Sequence, residues 1–135
     1  DEAWQLATSV DLTTLLREAD VMSLHVPLLD STRHIISSDA FDVMKPGAIL
    51  INTSRGGIVD EEALLAALRT GRLGGAALDV FETEPVAADQ KERFSGVPNL
   101  ILTPHIAGLT EESQRRVGEV TAQNVRDVLG ESGGS

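Results

Sequence analysis

Ile49-Leu-Ile-Asn-Thr-Ser-Arg-Gly-Gly-Ile-Val-Asp60 combines a strand, a polar turn and the start of a helix. The apolar run from Ala48 to Ile51 suits a strand buried on both faces, as in a parallel sheet covered by helices. Asn52, Thr53, Ser54, Arg55, Gly56 and Gly57 then form a polar turn with one cation. Asp60 can cap the helix that opens with Glu61, Glu62, Ala63, Leu64 and Leu65. Ligands of open α/β sheets bind at the carboxyl ends of the strands, which is where this turn lies. Taken alone, Arg55 reads equally well as a solvated loop arginine.

Working outward, the same alternation recurs. Upstream, Leu6 to Val10 reads as a short edge strand and Trp4 as a packing residue. Asp11 caps a helix carrying Leu12, Leu15 and Leu16, followed by a strand from Val21 to Val26 that Pro27 ends. A polar turn over 28–34 leads to a short helix from Ser38 to Met44, and Lys45-Pro46-Gly47 turns the chain into the central strand. Downstream, Ala63, Leu64, Ala67 and Leu68 share a helix face that stops at Gly71, a left-handed cap. Strands follow at Gly74–Val80 and Leu100–Leu102, and a last helix runs from about Thr110 to Leu129 with Val117, Val120, Val125 and Val128 on its apolar side. The pattern predicts a doubly wound parallel α/β layer, with the strands at 21–26, 48–52, 75–79 and 100–102 as neighbours in that order.

Composition narrows the function classes. The chain has 135 residues, 41% apolar and 24% charged, which fits one ordinary globular domain. Its net charge of -10, from 11 basic and 21 acidic residues, argues against nucleic acid or an anionic membrane as a general partner. The absence of cysteine excludes disulfides and thiolate chemistry. No apolar run approaches the roughly 20 residues of a membrane span, and Asp1-Glu2 does not open a signal peptide. A cytoplasmic protein without a metal site is expected.

Polar side chains gather where the strands finish: His25 and Thr32, then Thr53, Ser54 and Arg55, then Asp79 and Glu84, then Thr103 and His105. In a parallel sheet these ends share one edge. Arginine can hold a carboxylate through two parallel hydrogen bonds. Histidine exchanges protons near neutral pH, and a neighbouring carboxylate fixes its tautomer and favours imidazolium. His25 sits mid-strand and also suits a hydrogen-bonded core histidine, His34 belongs to a surface turn, and Glu82 or Glu84 alone suits a solvated loop acid. Asp79, closing a strand of small apolar residues, requires a partner.

Four runs carry a resemblance. Ser23-Leu-His-Val-Pro-Leu28, Lys45-Pro-Gly-Ala-Ile-Leu-Ile-Asn-Thr-Ser-Arg-Gly-Gly-Ile-Val-Asp60, Gly75-Ala-Ala-Leu-Asp-Val-Phe-Glu-Thr-Glu-Pro85 and Leu102-Thr-Pro-His-Ile-Ala-Gly108 are similar to the NAD-dependent D-2-hydroxyacid dehydrogenases, phosphoglycerate and glycerate dehydrogenases among them. The resemblance implies a Rossmann-like NAD-binding domain and hydride transfer between NAD(H) and a small 2-hydroxy or 2-oxo acid. Arg55 would bind the substrate carboxylate and polarise the carbonyl. His105 would be the acid/base, and Glu84, directly before the proline, its orienting carboxylate. Asp79 would hold the nicotinamide carboxamide. His25, Val26, Pro27, Thr53 and Ser54 would line the cofactor, with Ala107 and Gly108 near the nicotinamide; Arg55 and His105 would also face it.

The resemblance also sets out what is missing. The chain has no Gly-x-Gly, the turn that binds the pyrophosphate in this family, and no ribose-reading acid after it. NAD is the expected cofactor, with NADP left open. Residues 1–130 therefore read as the later part of an NAD-binding domain lacking its first βαβ unit, and 131–135 as a disordered tail. The isolated chain is expected to bind NAD weakly, to turn over no 2-oxo acid, and to self-associate as a homo-oligomer, such as a dimer, through the unpaired edge at Val21–Val26. Two other readings use the same residues: an NAD-sensing interaction protein of corepressor type, and a non-catalytic association module.

Overall fold

In the computed structural model residues 7–131 are described. They fall into two units, one ending at Pro104 and one beginning at His105. The first is built on four strands, β1 (Val21–Leu24), β2 (Ile49–Asn52), β3 (Gly75–Leu78) and β4 (Leu100–Leu102). They pair in that order and all run parallel, with Met22, Leu50, Ala76 and Leu100 in one row and Leu24, Asn52, Leu78 and Leu102 in another.

Two of the helices start where an aspartate caps them. In α1 (Leu12–Glu18) the Asp11 carboxylate accepts the Thr14 N–H at 2.7 Å. In α3 (Glu61–Arg69) Asp60 accepts the Ala63 N–H at 3.0 Å. Each aspartate satisfies an amide that the first helical turn leaves unpaired. Beyond α3, Gly71 takes φ +73°, a conformation costly for any residue with a Cβ. Between these helices lies α2 (Ser38–Val43), and after β3 the chain forms α4 (Ala88–Phe94).

One face of the sheet is sealed. Met22, Leu24, Leu50, Ala76 and Leu78 pack with Leu16 of α1, Ala40 and Phe41 of α2, and Leu64, Ala67 and Leu68 of α3. Leu50, Ile58 and Leu64 are fully buried. The alternation of strand side chains makes this one continuous core. On the opposite face Val21, Ile49 and Ile101 are exposed, Ile101 by 66%.

Four expectations need correcting. The central strand is not buried on both faces, because α1, α2 and α3 all contribute to the core on one side. Residues 7–10 form no strand, while Leu6 and Trp4 lie outside the described residues, as do 132–135. β1 stops at Leu24, so His25 stands beyond the strand and is exposed. Helix α4 was not foreseen, since its short run of alternating charge shows no apolar period.

The second unit is a turn followed by α5 (Glu111–Glu131). Thr110 caps it, its Oγ1 accepting the Ser113 N–H at 3.1 Å. Val117, Val120, Val125 and Val128 are all exposed.

Leu50 lies at the centre of the sealed face, and Leu50→Ala removes its packing from both neighbouring strands and the helices beneath. We expect a loss of about 2–5 kcal/mol of stability, read as a lower urea midpoint. An unchanged midpoint would place the core elsewhere.

Candidate active site

The turn after β2 is organised by one buried amide. Asn52 is 0% exposed, and an unpaired polar group there would be costly. Its Nδ2 donates to the Arg55 carbonyl at 3.0 Å, and its Oδ1 accepts the Ser54 N–H at 3.1 Å. The chain is thereby folded back at the strand end, leaving Thr53 and Arg55 exposed. The Arg55 guanidinium donates to the Ser54 carbonyl at 2.7 Å. Ser54 Oγ reaches across to donate to the Val26 carbonyl at 2.5 Å, joining the ends of β1 and β2. Asn52 was not singled out from the sequence; the signal was an amide ending an apolar run.

At the end of β1, His25, Val26 and Pro27 are exposed. His25 Nε2 lies 2.8 Å from Ser23 Oγ. Thr32 shapes the following loop, donating to the Pro27 carbonyl at 2.7 Å and accepting the Leu29 N–H at 2.8 Å. At the end of β3, Asp79 is 3% exposed. The partner its position demands is Thr103, whose hydroxyl donates to Asp79 Oδ1 at 2.6 Å.

The loop after Asp79 carries both glutamates, and they are held differently. Glu84 Oε1 accepts the Phe81 N–H at 2.8 Å, folding the loop on itself, and the Glu84–Pro85 peptide is cis. Glu82 instead turns to the start of α3, where it accepts the Glu61 N–H at 3.0 Å. His34 Nε2, on a residue with φ +49°, lies 3.0 Å from the same Glu82 oxygen. Glu61 is 3% exposed, and burial pushes its carboxyl up from the ordinary 4.5, with Glu82 and Glu62 adding repulsion and the Glu82 amide and Arg93 opposing.

This loop is also pressed against the Arg55 turn. A Cβ on Gly56 would stand 1.9 Å from the carbonyl carbon and oxygen of Phe81. The first unit therefore brings Arg55, Asp79 and Glu84 to the carboxyl edge of the sheet, beside His25, Val26, Pro27, Thr53 and Ser54. His105, with φ +56°, opens the second unit, and Ala107 and Gly108 sit in a turn closed by the Leu109 N–H donating to the Ile106 carbonyl at 2.9 Å.

Comparisons with known proteins give the family. Residues 1–107 match the model of the D-isomer specific 2-hydroxyacid dehydrogenase, NAD binding domain. The chain belongs to that family. NAD is the cofactor of the domain it represents. It is 57% identical over 131 residues to the (S)-sulfolactate dehydrogenase of Chromohalobacter salexigens, covering 96% of the chain and 42% of that protein. It is 46% identical to the hydroxypyruvate reductase of Thermotoga maritima, covering 90% and 40%. Among solved structures, a D-lactate dehydrogenase from Sporolactobacillus superposes with a TM-score of 0.82 at 37% identity, covering 95% of this chain and 42% of that one. The D-lactate dehydrogenase of Lactobacillus jensenii with NAD+ gives 0.74 at 38%, covering 84% and 38%. The chain thus spans about two fifths of the length of these two curated relatives. Among the described residues, no helix is long and apolar enough to cross a membrane.

Two measurements follow from the geometry. Gly56→Ala forces backbone apart and should cost about 1–3 kcal/mol, seen as a lower thermal midpoint; a neutral result would mean that the two loops do not touch. Glu61 binds its proton more tightly folded than unfolded, so stability should fall as pH rises from 4.5 through the raised folded value. Glu61→Gln should flatten that part of the profile. Thermal scans at successive pH values check it, and an unaltered slope refutes it.

Proposed function

We propose that the chain serves an oxidoreductase that transfers a hydride between NAD(H) and a small 2-hydroxy or 2-oxo acid. The observation that carries this reading is the gathering of an exposed arginine and two carboxylates, Arg55, Asp79 and Glu84, at one edge of a parallel sheet in this family.

In this reading Arg55 grips the substrate carboxylate with paired N–H donors and draws charge from the neighbouring carbonyl. His105 gives a proton to the carbonyl oxygen in reduction and removes it from the hydroxyl in oxidation. Glu84 takes the role that the family resemblance gives it, the carboxylate that orients the imidazole. Asp79, already fixed by Thr103, accepts from the carboxamide of the cofactor. The exposed loop ends at His25, Val26, Pro27 and Thr53 would line the cofactor, and the family resemblance gives Ala107 and Gly108 to the nicotinamide side. NAD supplies or accepts the hydride when bound. Residues 1–130 act as part of an NAD-binding domain, and the 135-residue chain alone lacks the positioning that turnover needs.

The test replaces the matching segment of the Chromohalobacter salexigens dehydrogenase with this chain and assays NADH-dependent reduction of 2-oxo acids. We expect activity in the chimera and a loss of about 10²–10⁴-fold with His105→Ala. Arg55→Lys should raise KM, because lysine cannot form the paired contact. A chimera that binds NADH but transfers no hydride would overturn the dehydrogenase reading in favour of a cofactor-sensing protein.

A further inference from the structure

The two glutamates of the Phe81-Glu-Thr-Glu-Pro85 run point in different directions, and the contacts of Glu82 extend well beyond its own loop. Its carboxylate accepts the Glu61 N–H at 3.0 Å, while its own N–H donates to Glu61 Oε1 at 2.6 Å. Each residue's carboxylate therefore takes the other's amide, across 21 positions of sequence. Glu61 is the first residue of α3, so its amide is one that the helix cannot satisfy internally. A carboxylate there is favoured by both the orphan donor and the helix dipole.

Further contacts converge on this pair. Arg93 of α4 lies 3.4 Å from Glu61 Oε2 and 2.8 Å from Glu62 Oε1, and its carbonyl accepts from Arg69 Nη2 at 2.7 Å. His34 approaches Glu82 from the loop before α2. Beneath them a Cβ on Gly56 would also stand 2.5 Å from the Glu82 nitrogen, leaving the backbone at 81–82 no room to move towards the Arg55 turn. The Phe81 N–H is the group that Glu84 Oε1 accepts. A path of contacts thus runs from Arg55 through Gly56 to Phe81 and Glu84, and Glu82 pins its midpoint.

We propose that Glu82 is a positioning residue: its reciprocal pairing with Glu61 fixes the Phe81–Pro85 loop against the Arg55 turn and so sets where Glu84 stands. The catalytic meaning of that placement rests on the function proposed above. Glu82 itself need not touch substrate or cofactor.

The test is amide hydrogen exchange in the 135-residue chain. Glu82→Ala should speed exchange of the Phe81 N–H about tenfold, as loss of a local hydrogen-bonded anchor does, while Leu24 and Leu50 exchange as before. Glu82→Gln, whose side-chain oxygen still accepts the Glu61 N–H, should return Phe81 to within about threefold of the wild type. Glu82→Asp, one methylene short, should behave like Glu82→Ala and serves where the alanine variant does not fold. A Phe81 rate within twofold of wild type in the shortened variant overturns the proposal. So does a uniform acceleration of all amides, or a glutamine variant as fast as the shortened one. NADH binding and turnover do not enter this readout, so an inactive chimera with an intact clamp would remove only the functional reading.

Discussion

A buried amide that must be satisfied governs the working edge of this domain. Asn52 ends β2 fully buried, its side chain away from the solvent. It can meet its hydrogen-bonding demand only by drawing Ser54 and the Arg55 carbonyl back over the strand end. That recoil leaves the Arg55 side chain outside and sends the next residues, Gly56 to Ile58, into a 3-10 turn against the neighbouring loop. The core and the candidate site are therefore linked at one side chain. Packing that buries β2 also shapes the turn that projects the arginine.

The fold was legible wherever a local physical rule had no competitor. Asp11 and Asp60 announced helix starts because a carboxylate can take the free amides of a first turn, and both do so. Gly71 announced a helix end for the converse reason. The parallel order of the four strands followed from their alternation with helices. What local rules do not carry is which face a neighbour covers. Ile49 and Leu50 are equally apolar, yet one is exposed and the other fully buried. The same limit applies to α4, whose contacts run through Arg93 to acids in α3 rather than through an apolar stripe.

The site was legible as a set of residue types and less so as a set of contacts. Asp79 needed a donor, and Thr103 supplies one from the adjacent strand end. His25 was read within a strand that ends one residue earlier, and its exposure removes the core-histidine reading. Glu82 looked like a solvated acid because its partner, Glu61, is remote in sequence and carries the same charge. Only the backbone amides explain why two carboxylates stand together: each accepts an N–H, and Arg93 and His34 approach from outside.

The exposed isoleucines of the sheet have a colloidal consequence. Ile49 and Ile101 present apolar area to water, and such area attracts its like. Against this stands a net charge of -10, which makes copies repel one another over the distance that salt permits. At about 0.15 M ionic strength that distance is roughly 8 Å, and it shrinks to about 3 Å at 1 M. The surface charge is thus a spacer with adjustable reach, longest in dilute salt.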